Sequence, residues 1–307
     1  MEKHVPVLLK ETIEGLNIKK DGIYVDLTLG RGGHSREILK RLQTGTLVGV
    51  DQDEEAIKES KENLKTSNAK CIIVKSNFVK LNEILKTLNI DKVDGILMDL
   101  GVSSPQFDED ERGFSYRKDS ILDMRMDRDQ SLTAKDIINE YSIEDLCKIF
   151  REYGDERFAY PIAKNIIKAR TNGPINTTSE LVEIIKKSKP AKELAKSGHP
   201  AKQVFQALRI AVNDELNVLS KTLVDALEAL KVGGRLAVIT FHSGEDRIVK
   251  NIFNEKTKVE GNRLNLPDAP LEIHYALINR HPIAPSEEEV EINHRSKSAK
   301  LRIIERI

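Results

Sequence analysis

The hydrophobic and polar positions of the first hundred residues follow two alternating periods. Apolar runs typical of buried strands occupy 22–30, 46–51, 71–78 and 93–100, and apolar residues at helical spacing occupy 34–42, 54–65 and 79–88. Strand-like runs rich in β-branched residues that alternate with helices of about ten residues predict βαβ units and a parallel sheet. Right-handed crossovers then place the carboxyl end of every strand at one edge of that sheet.

This alternation stops after residue 106. The next hundred or so residues contain no convincing buried strand; they carry a charged loop and then helical patterns at 134–152, 156–170 and 178–187. We therefore expect a helical domain at 107–203, inserted into a discontinuous α/β domain formed by 1–106 and 204–307.

The α/β pattern returns in the last third of the chain. A long helix is predicted at 204–230, a buried strand at 233–241 and a helix at 244–253. The segments 270–278 and 299–307 are predicted to pair as antiparallel strands, and the acidic run 287–291 is predicted to be a loop.

Composition narrows the class of protein. The 307 residues suffice to bury a sizeable core, and the two cysteines, Cys71 and Cys147, form no C-x-x-C pair. A disulfide framework and a cysteine zinc site are therefore disfavoured, and we predict no metal site. The amino terminus lacks an apolar leader and no window approaches 18 unbroken apolar residues, so we expect a cytoplasmic protein that does not enter the membrane.

Charge is balanced over the chain but not along it. The formal net charge is zero, which gives no global attraction to nucleic acid. Residues 161–202, however, carry nine Lys or Arg against three Glu, and 294–302 carries four Lys or Arg and no acid. Such segments bind phosphates as local patches, although solvated helix faces are the alternative explanation.

The first strand is followed by the stretch DLTLGRGGHS, residues 26–35. Glycines allow a ligand to approach the backbone, and the following helix presents free N–H groups. The pattern departs from G-x-G-x-x-G, and Asp26 precedes the first glycine by four residues. A carboxylate there is favourable beside the cationic methionine end of S-adenosylmethionine (SAM) and unfavourable beside a pyrophosphate. A turn that merely requires glycine is the alternative.

The next two strand ends also carry residues suited to an adenosine. Asp51 is placed to accept hydrogen bonds from both ribose hydroxyls, a position that NAD enzymes use as well. Asp53 is predicted to cap the following helix. Phe78 offers an aromatic edge for adenine, although a lone Phe is more often part of a core. Together the strand ends favour a class I SAM-dependent methyltransferase with a Rossmann-like sheet over a generic α/β domain.

The fourth strand ends in DLGVSSPQF, residues 99–107. Methyltransferases that act on an amino group of nucleic acid place an acid, Asn or Ser, followed by Pro, at this position. Hydrogen-bond acceptors bind the exocyclic amine and free its delocalised lone pair, so we predict catalytic roles for Asp99, Ser103, Ser104 and Pro105, the last through its flanking carbonyls. Phe107 is suited to stack on a base that has left its helix. An ordinary Ser-Pro turn is the alternative.

Longer sequence blocks carry a family resemblance. These blocks are HVPVLLKE (4–11), DLTLGRGGHS (26–35), DLGVSSPQ (99–106), RGFS (112–115), LDMRMD (122–127), HPA (199–201), FQALRIAVNDEL (205–216), FHSGEDR (241–247) and RSKSAKLR (295–302). They run in order over nearly the whole chain, which resembles the MraW family of bacterial small-subunit ribosomal RNA cytosine-N4 methyltransferases.

The resemblance implies an activity and a binding site. The activity is N4-methylation of a decoding-centre cytosine, position 1402 in the usual rRNA numbering, in 16S rRNA of the small ribosomal subunit. The implied partner is that rRNA, and the enzyme is expected to be a monomer or homodimer. The implied SAM site consists of Gly32, Gly33, His34, Asp51, Phe78, Asp99 and Gln106.

Two side-chain roles and three rival functions stay open at this point. Asp123, Arg125 and Asp127 either help to close a base pocket or form a salt-bridged surface turn. His242 either contacts RNA or is satisfied by backbone. The rival functions are a SAM-dependent methyltransferase that acts on a protein amide or a small molecule, a non-catalytic RNA-binding module, and an NAD enzyme.

Overall fold

A computed structural model describes residues 6–65, 69–101, 112–258 and 273–307. The chain forms two compact units, one from residues 1–101 and 216–307 and the other from residues 102–215. No helix in the described ranges combines the length and the apolar character needed to cross a membrane.

A seven-stranded sheet forms the centre of the first unit. Its strands are β1 (Ile23–Asp26), β2 (Thr46–Asp51), β3 (Lys70–Lys75), β4 (Val93–Asp99), β5 (Leu230–Thr240), β6 (Tyr275–Leu277) and β7 (Lys300–Arg306). Their order is β3-β2-β1-β4-β5-β7-β6. The first five strands are parallel, and β7 is antiparallel to both β5 and β6. The predicted class I α/β fold is therefore confirmed, as is the terminal antiparallel pair.

Helices cover both faces of this sheet. They are α1 (Leu9–Gly15), α2 (Gly33–Arg41), α3 (Glu54–Asn63), α4 (Leu81–Thr87), α11 (Glu215–Ala229), α12 (Ser243–Lys256) and α13 (Glu287–Ile292). Alternate strand residues enter opposite cores: Val48 packs with apolar residues of α4, α11 and α12, whereas Leu47 packs with those of α1 and α2. Burial on both faces explains why the strands are continuous apolar runs.

The strand ends determine where functional groups lie. Asp26, Asp51 and Asp99 are the last residues of β1, β2 and β4. These strands are adjacent and parallel, so the three carboxylates lie at one edge of the sheet. In doubly wound sheets ligands bind beyond this carboxyl edge.

The second unit is helical in its described part. Its helices are α5 (Ala134–Glu140), α6 (Ile143–Glu152), α7 (Ala159–Arg170), α8 (Thr178–Lys187), α9 (Ala191–Leu194) and α10 (Lys202–Asn213). They enclose their own apolar core. Residues 204–215 belong to this unit although the sequence assigned them to the α/β domain, because Val204, Phe205 and Leu208 of α10 are buried in the helical core.

Three element predictions were wrong in detail. The pattern at 134–152 is two helices, because Ser142 caps a new helix with its side chain. The helix predicted at 204–230 is interrupted at Asp214, which has a left-handed φ of 49°. The acidic run predicted as a loop is α13, whose first turn is favoured by the Ser286 cap and by glutamates at the positive end of the helix dipole.

Candidate active site at the carboxyl edge of the sheet

The turn after β1 is built around Asp26. Its Oδ2 accepts a hydrogen bond from Ser35 Oγ at 2.7 Å, and its Oδ1 accepts one from Thr28 N at 3.1 Å. Both Asp26 and Ser35 are fully buried. Burial, and to a smaller extent the charge of Asp51, raises the pKa of Asp26 to about 6, although the hydrogen bonds oppose this rise. Asp26 therefore supports the turn at the start of α2.

The glycines of this turn have two different requirements. Gly32 precedes α2 with a φ of +77°, a left-handed conformation that glycine adopts without strain. Gly33 lies against the amino-terminal segment, and a Cβ atom there would stand 2.4 Å from Pro6 Cγ. Gly33 is thus required by the packing of residue 6 as well as by any ligand.

Asp51, at the end of β2, shapes the neighbouring loops. Its Oδ2 accepts from Gly30 N at 2.8 Å and its Oδ1 accepts from Asp53 N at 2.9 Å. Each carboxylate oxygen has a second lone pair, so acceptor capacity remains for ligand hydroxyls. Burial raises the pKa of Asp51, which the backbone hydrogen bonds partly offset. The predicted cap is confirmed: Asp53 accepts from Glu55 N at the start of α3.

His34 joins the amino-terminal segment to this edge. Its ring is buried, and its Nε2 lies 3.1 Å from the carbonyl oxygen of Val7. A carbonyl only accepts, so Nε2 carries a proton, and Nδ1 is the acceptor whenever the ring is neutral. Leu8, which follows Val7, has a left-handed φ of 52° and donates its N–H to Glu289 Oε1 at 2.8 Å. Glu289 thus fixes the segment that His34 binds.

Asp99, at the end of β4, is held from two sides. Its N–H donates to Thr28 Oγ1 at 2.6 Å, and its Oδ2 lies 3.5 Å from His34 Nδ1. Its Oδ1 is buried and accepts no hydrogen bond from any residue within the described ranges. Burial, followed by the charges of Asp26 and Glu245, raises the pKa of Asp99 well above its usual range. A buried acceptor without a partner is costly, which marks this oxygen as the place for an incoming donor or cation.

The remaining predicted residues divide into described and undescribed positions. Phe78 begins a single 3₁₀ turn, is half-buried, and packs partly against the core between the sheet and α4. Five predicted residues lie outside the described ranges: Ser103, Ser104, Pro105, Gln106 and Phe107. Their roles remain predictions from the sequence.

The structure favours one alternative for each of the two open roles. Arg125 donates to both oxygens of Asp123, from Nε at 2.9 Å and from Nη2 at 2.8 Å, which is a salt-bridged turn. His242 is nine-tenths buried and caps α12, where its Nδ1 accepts from Glu245 N at 3.4 Å. This contact engages one ring nitrogen of His242 with backbone, which favours the second alternative, whereas its buried Nε2 lies 3.2 Å from Glu245 Oε1.

Sequence reasoning missed several residues that shape this edge. Thr28 joins β1 to β4, Ser35 holds Asp26, and the buried Glu245 accepts from Phe241 N at 2.7 Å. A Thr just after a strand is a detectable signal for Thr28, whereas Ser35 lies inside α2. Glu289 gave no local signal, because its contact with Leu8 joins residues 281 positions apart.

The assembled edge has a defined chemistry. It places the buried Asp26 and the partly exposed Asp51 and Asp99 beside a glycine turn, and one oxygen of Asp99 accepts no hydrogen bond from the described residues. Such an edge suits a ligand with ribose hydroxyls and a positive charge, because the hydroxyls donate to Asp51 and the charge offsets the buried acids. The same oxygen of Asp99 suits the N–H of an amine.

Comparison with known proteins gives a consistent result. A family model described as the MraW methylase family matches residues 1–307. A protein of Mesoplasma florum named ribosomal RNA small subunit methyltransferase H is 55% identical over 311 residues, covering 100% of both chains. A protein of the same name from Clostridium botulinum (strain Kyoto / Type A2) is 53% identical over 311 residues, covering 99% of each.

Solved structures resemble the chain less closely. An rRNA methylase from Streptococcus thermophilus aligns with a TM-score of 0.42 at 10% identity, covering 97% of this chain and 93% of that one. A SAM-dependent O-methyltransferase from Thermotoga maritima aligns with a TM-score of 0.42 at 11% identity, covering 100% and 68%. At such scores the likenesses carry no argument about function.

Proposed function

Because this chain belongs to the MraW methylase family, we propose that it methylates 16S ribosomal RNA of the small ribosomal subunit. The methyl donor is SAM. Within the rRNA, the proposed target is the N4 amine of the decoding-centre cytosine. Family membership and the name shared by the relatives at 53–55% identity support the RNA substrate. The chemistry of Asp99 supports an amine as the acceptor group.

The residues at the carboxyl edge fit SAM. Asp51 retains lone pairs for the ribose hydroxyls, and the turn at Gly32 and Gly33 leaves backbone free of side chains at the start of α2. Phe78 is proposed to contact adenine, and His34 to support the methionine end of the site. When bound, SAM supplies an electrophilic methyl group on a cationic sulfur.

Asp99 carries the proposed chemistry. An exocyclic cytosine amine is a poor nucleophile because its lone pair is delocalised into the ring. The unpartnered Oδ1 of Asp99 is proposed to accept one N–H of that amine, which localises the lone pair on nitrogen and orients it. Orientation of this kind lowers a barrier by about 7–11 kcal/mol at most. This single oxygen is the observation that carries the amine assignment.

The other groups of the loop complete the proposal. Ser103, Ser104, the carbonyls beside Pro105, and Gln106 are proposed to bind the amine, the base edge or the cofactor. The methylated amine is acidic enough to pass its proton to water or to Asp99, so no further base is required. The helical unit is proposed to recognise RNA. The enzyme is proposed to act in the cytoplasm, as a monomer or a homodimer.

The test uses small subunits isolated from cells that lack the gene. Purified enzyme and methyl-labelled SAM are added, the rRNA is digested, and the nucleosides are identified by mass spectrometry. We expect label in N4-methylcytidine from a single position. Label found only in ribosomal protein or in a small molecule would instead support the rival function, a methyltransferase that acts on a protein amide or a small molecule. No methyl transfer at all would refute the proposal.

The contribution of Asp99 is tested in the same assay. Asp99→Ala is expected to abolish turnover, whereas Asp99→Asn keeps an acceptor oxygen and is expected to retain part of it. Binding of SAM is measured in parallel by calorimetry, so that a loss of cofactor is told apart from a loss of chemistry. Near-normal turnover of the alanine variant would remove Asp99 from the mechanism.

A further inference from the structure

Two aromatic rings stack in the helical unit. The ring centroids of Tyr116 and His199 are 4.3 Å apart and their planes differ by 15°. The edge of Tyr116 contacts the buried ring of Phe205, with centroids 5.7 Å apart. Both stacked residues are only half-buried. The pair is therefore anchored on the core and partly open to solvent.

Positive charge surrounds this stack. Burial lowers the pKa of His199, and the charges of Lys186, Arg117 and Lys189 lower it further. Among the described residues, the charged groups that act on this ring are thus all cations. His199 is consequently neutral at physiological pH, and since its Nδ1 accepts from Ala201 N at 3.2 Å, its proton lies on Nε2.

The loop that carries His199 is fixed by a buried ion pair. Lys189 Nζ lies 2.6 Å from Glu156 Oε2 and donates to the Pro200 carbonyl at 2.7 Å. Lys189 and Glu156 are 7% and 3% exposed, so they neutralise each other out of reach of a ligand. Of the other two cations, Arg117 is exposed, and Lys186 forms an exposed pair with Glu183 that contributes little, so a ligand phosphate can compete for it.

A third cation and a further aromatic ring lie nearby. The charges of Arg157 and Lys189 both act on Glu193, which places Arg157 near the buried pair. Arg157 is exposed, and Tyr160, one helical turn later, is 52% exposed. Two acids of this region pair with lysines, Glu183 with Lys186 at 2.9 Å and Glu193 with Lys196 at 2.6 Å.

We propose that the aromatic–basic surface, defined as Tyr116, Arg117, Arg157, Lys186 and His199, binds a single-stranded segment of the RNA substrate. Arg117, Arg157 and Lys186 contact phosphates, and an unstacked base extends the stack of Tyr116 and His199. This inference rests on the proposed function, because it assumes that RNA is the substrate.

Several features favour RNA over a protein partner. Aromatic rings interleaved with cations are typical of surfaces that bind single strands, since bases stack on the rings while phosphates pair with the cations. A neutral histidine stacks without the cost of desolvating a charge. The surrounding segment 161–202 carries nine cations against three acids, which complements a polyanion.

The test separates stacking from charge by salt dependence. Affinity for small subunits from the deletion strain is measured over a range of salt, with S-adenosylhomocysteine present. His199→Ala is expected to lower affinity fivefold or more with an unchanged salt slope, as loss of one stacked base implies. His199→Phe keeps a ring and is expected to stay within about twofold of wild type.

Loss of the charged residues, unlike loss of the His199 ring, is expected to change the salt dependence of binding. Arg117→Ala and Lys186→Ala together are expected to lower the slope of log affinity against log salt by about 0.7 per lost phosphate contact. The matched control is Lys86→Ala, which removes an exposed lysine of α4 in the other unit and is expected to change neither quantity. Melting temperature and SAM affinity are measured for each variant to detect misfolding.

Three outcomes decide the matter. Wild-type affinity in both His199→Ala and the double variant, with wild-type enzyme still methylating rRNA, overturns this surface and leaves the proposed function intact. A loss seen with whole subunits but not with protein-free rRNA, at an unchanged salt slope, assigns the surface to a ribosomal protein and also overturns it. Failure of wild-type enzyme to bind or methylate rRNA overturns both proposals.

Discussion

At the scale of single residues, three aspartates at equivalent strand ends have different surroundings. Both oxygens of Asp26 are engaged within its own turn, and Asp51 uses one lone pair on each oxygen for backbone. One oxygen of Asp99 accepts no hydrogen bond from the part of the chain that the structure describes. Its position at a strand end therefore brings each carboxylate to this edge of the sheet. The hydrogen bonds around the carboxylate then decide whether it supports a turn or has an oxygen left to bind a ligand.

Asp51 gives the first prediction at this scale. Asp51→Ala is expected to weaken SAM binding tenfold or more, because hydrogen bonds to a charged group contribute about 1.5–3 kcal/mol. Calorimetry measures the affinity. Asp53→Ala is the control, since Asp53 caps α3 and its loss is expected to cost about 1 kcal/mol of stability with little change in affinity. Unchanged affinity in Asp51→Ala would refute the ribose role.

Asp26 predicts a pH dependence of stability. Its pKa is about 6 in the folded protein against an ordinary value of 3.8, so the fold favours the protonated form. The stability that this group contributes is complete below about pH 4 and is lost as pH rises through about 6. Asp26→Asn, which is neutral at every pH, is expected to be more stable than wild type at about pH 7.5, by up to about 3 kcal/mol.

Urea unfolding at several pH values measures this difference. The advantage of Asp26→Asn is expected to shrink steadily as pH falls towards about 5. An advantage of equal size at both ends of that range would contradict the assignment of the effect to ionisation of Asp26.

At the scale of elements, a short helix near the carboxyl terminus supports the cofactor site. Glu289 of α13 accepts the N–H of Leu8, and the carbonyl of Val7 accepts from His34, which faces Asp99. A continuous path of contacts thus leads from α13 to the end of β4. Position along the sequence gives no hint of this path.

This path predicts different effects for two substitutions of one residue. Glu289→Gln retains an acceptor oxygen and is expected to behave like wild type. Glu289→Ala leaves the Leu8 N–H without its partner, which costs about 1–3 kcal/mol, and is expected to weaken SAM binding several-fold by releasing His34. Melting temperature and SAM affinity are the measurements. Glu291→Ala, an exposed glutamate on the same helix, is the control, and a similar loss in it would contradict the role of Glu289.

The sequence predicted those elements whose formation depends on local pattern. The buried strands and the carboxylates at their ends follow from runs of β-branched residues, and the cap at Asp53 follows from a polar residue before a helix. Breaks within long helical patterns were missed. The left-handed Asp214 ends α10 although apolar spacing continues through it, so periodicity alone gave one helix instead of two.

The candidate site was predictable only in part, for a related reason. Asp51 and Asp99 stand at strand ends, where topology alone brings them together. The partners that set their state, Thr28, Glu245 and Glu289, depend on how distant segments pack. Such contacts leave no periodic trace in the chain, so no role was predicted for these three residues.

At the scale of the whole molecule, the chain leaves the first unit after residue 101 and returns at residue 216. Each unit has its own apolar core. The boundary predicted at 203 was displaced because α10 packs with the helices that precede it. Separate cores allow one unit to vary while the other keeps its packing.

The buried ion pair of Lys189 and Glu156 in the helical unit tests whether the two cores are independent. Glu156→Ala leaves the Lys189 ammonium buried without its partner, and is expected to cost about 3–5 kcal/mol of stability. Glu183→Ala removes an exposed pair and is expected to cost less than about 1 kcal/mol. Chemical unfolding measures both, and SAM affinity under native conditions is expected to be unchanged. A cost for Glu156→Ala no larger than that of the control would contradict the burial argument.

The crowding of acids at the sheet edge has a consequence for turnover. Burial, followed by the charges of Asp26 and Glu245, makes it harder for Asp99 to ionise. If SAM binds at this edge as proposed, its cationic sulfur relieves that repulsion, whereas the product is neutral at sulfur once its methyl group has gone. We therefore expect the protein to bind the methyl donor more tightly than the demethylated product, so that the reaction itself favours product release.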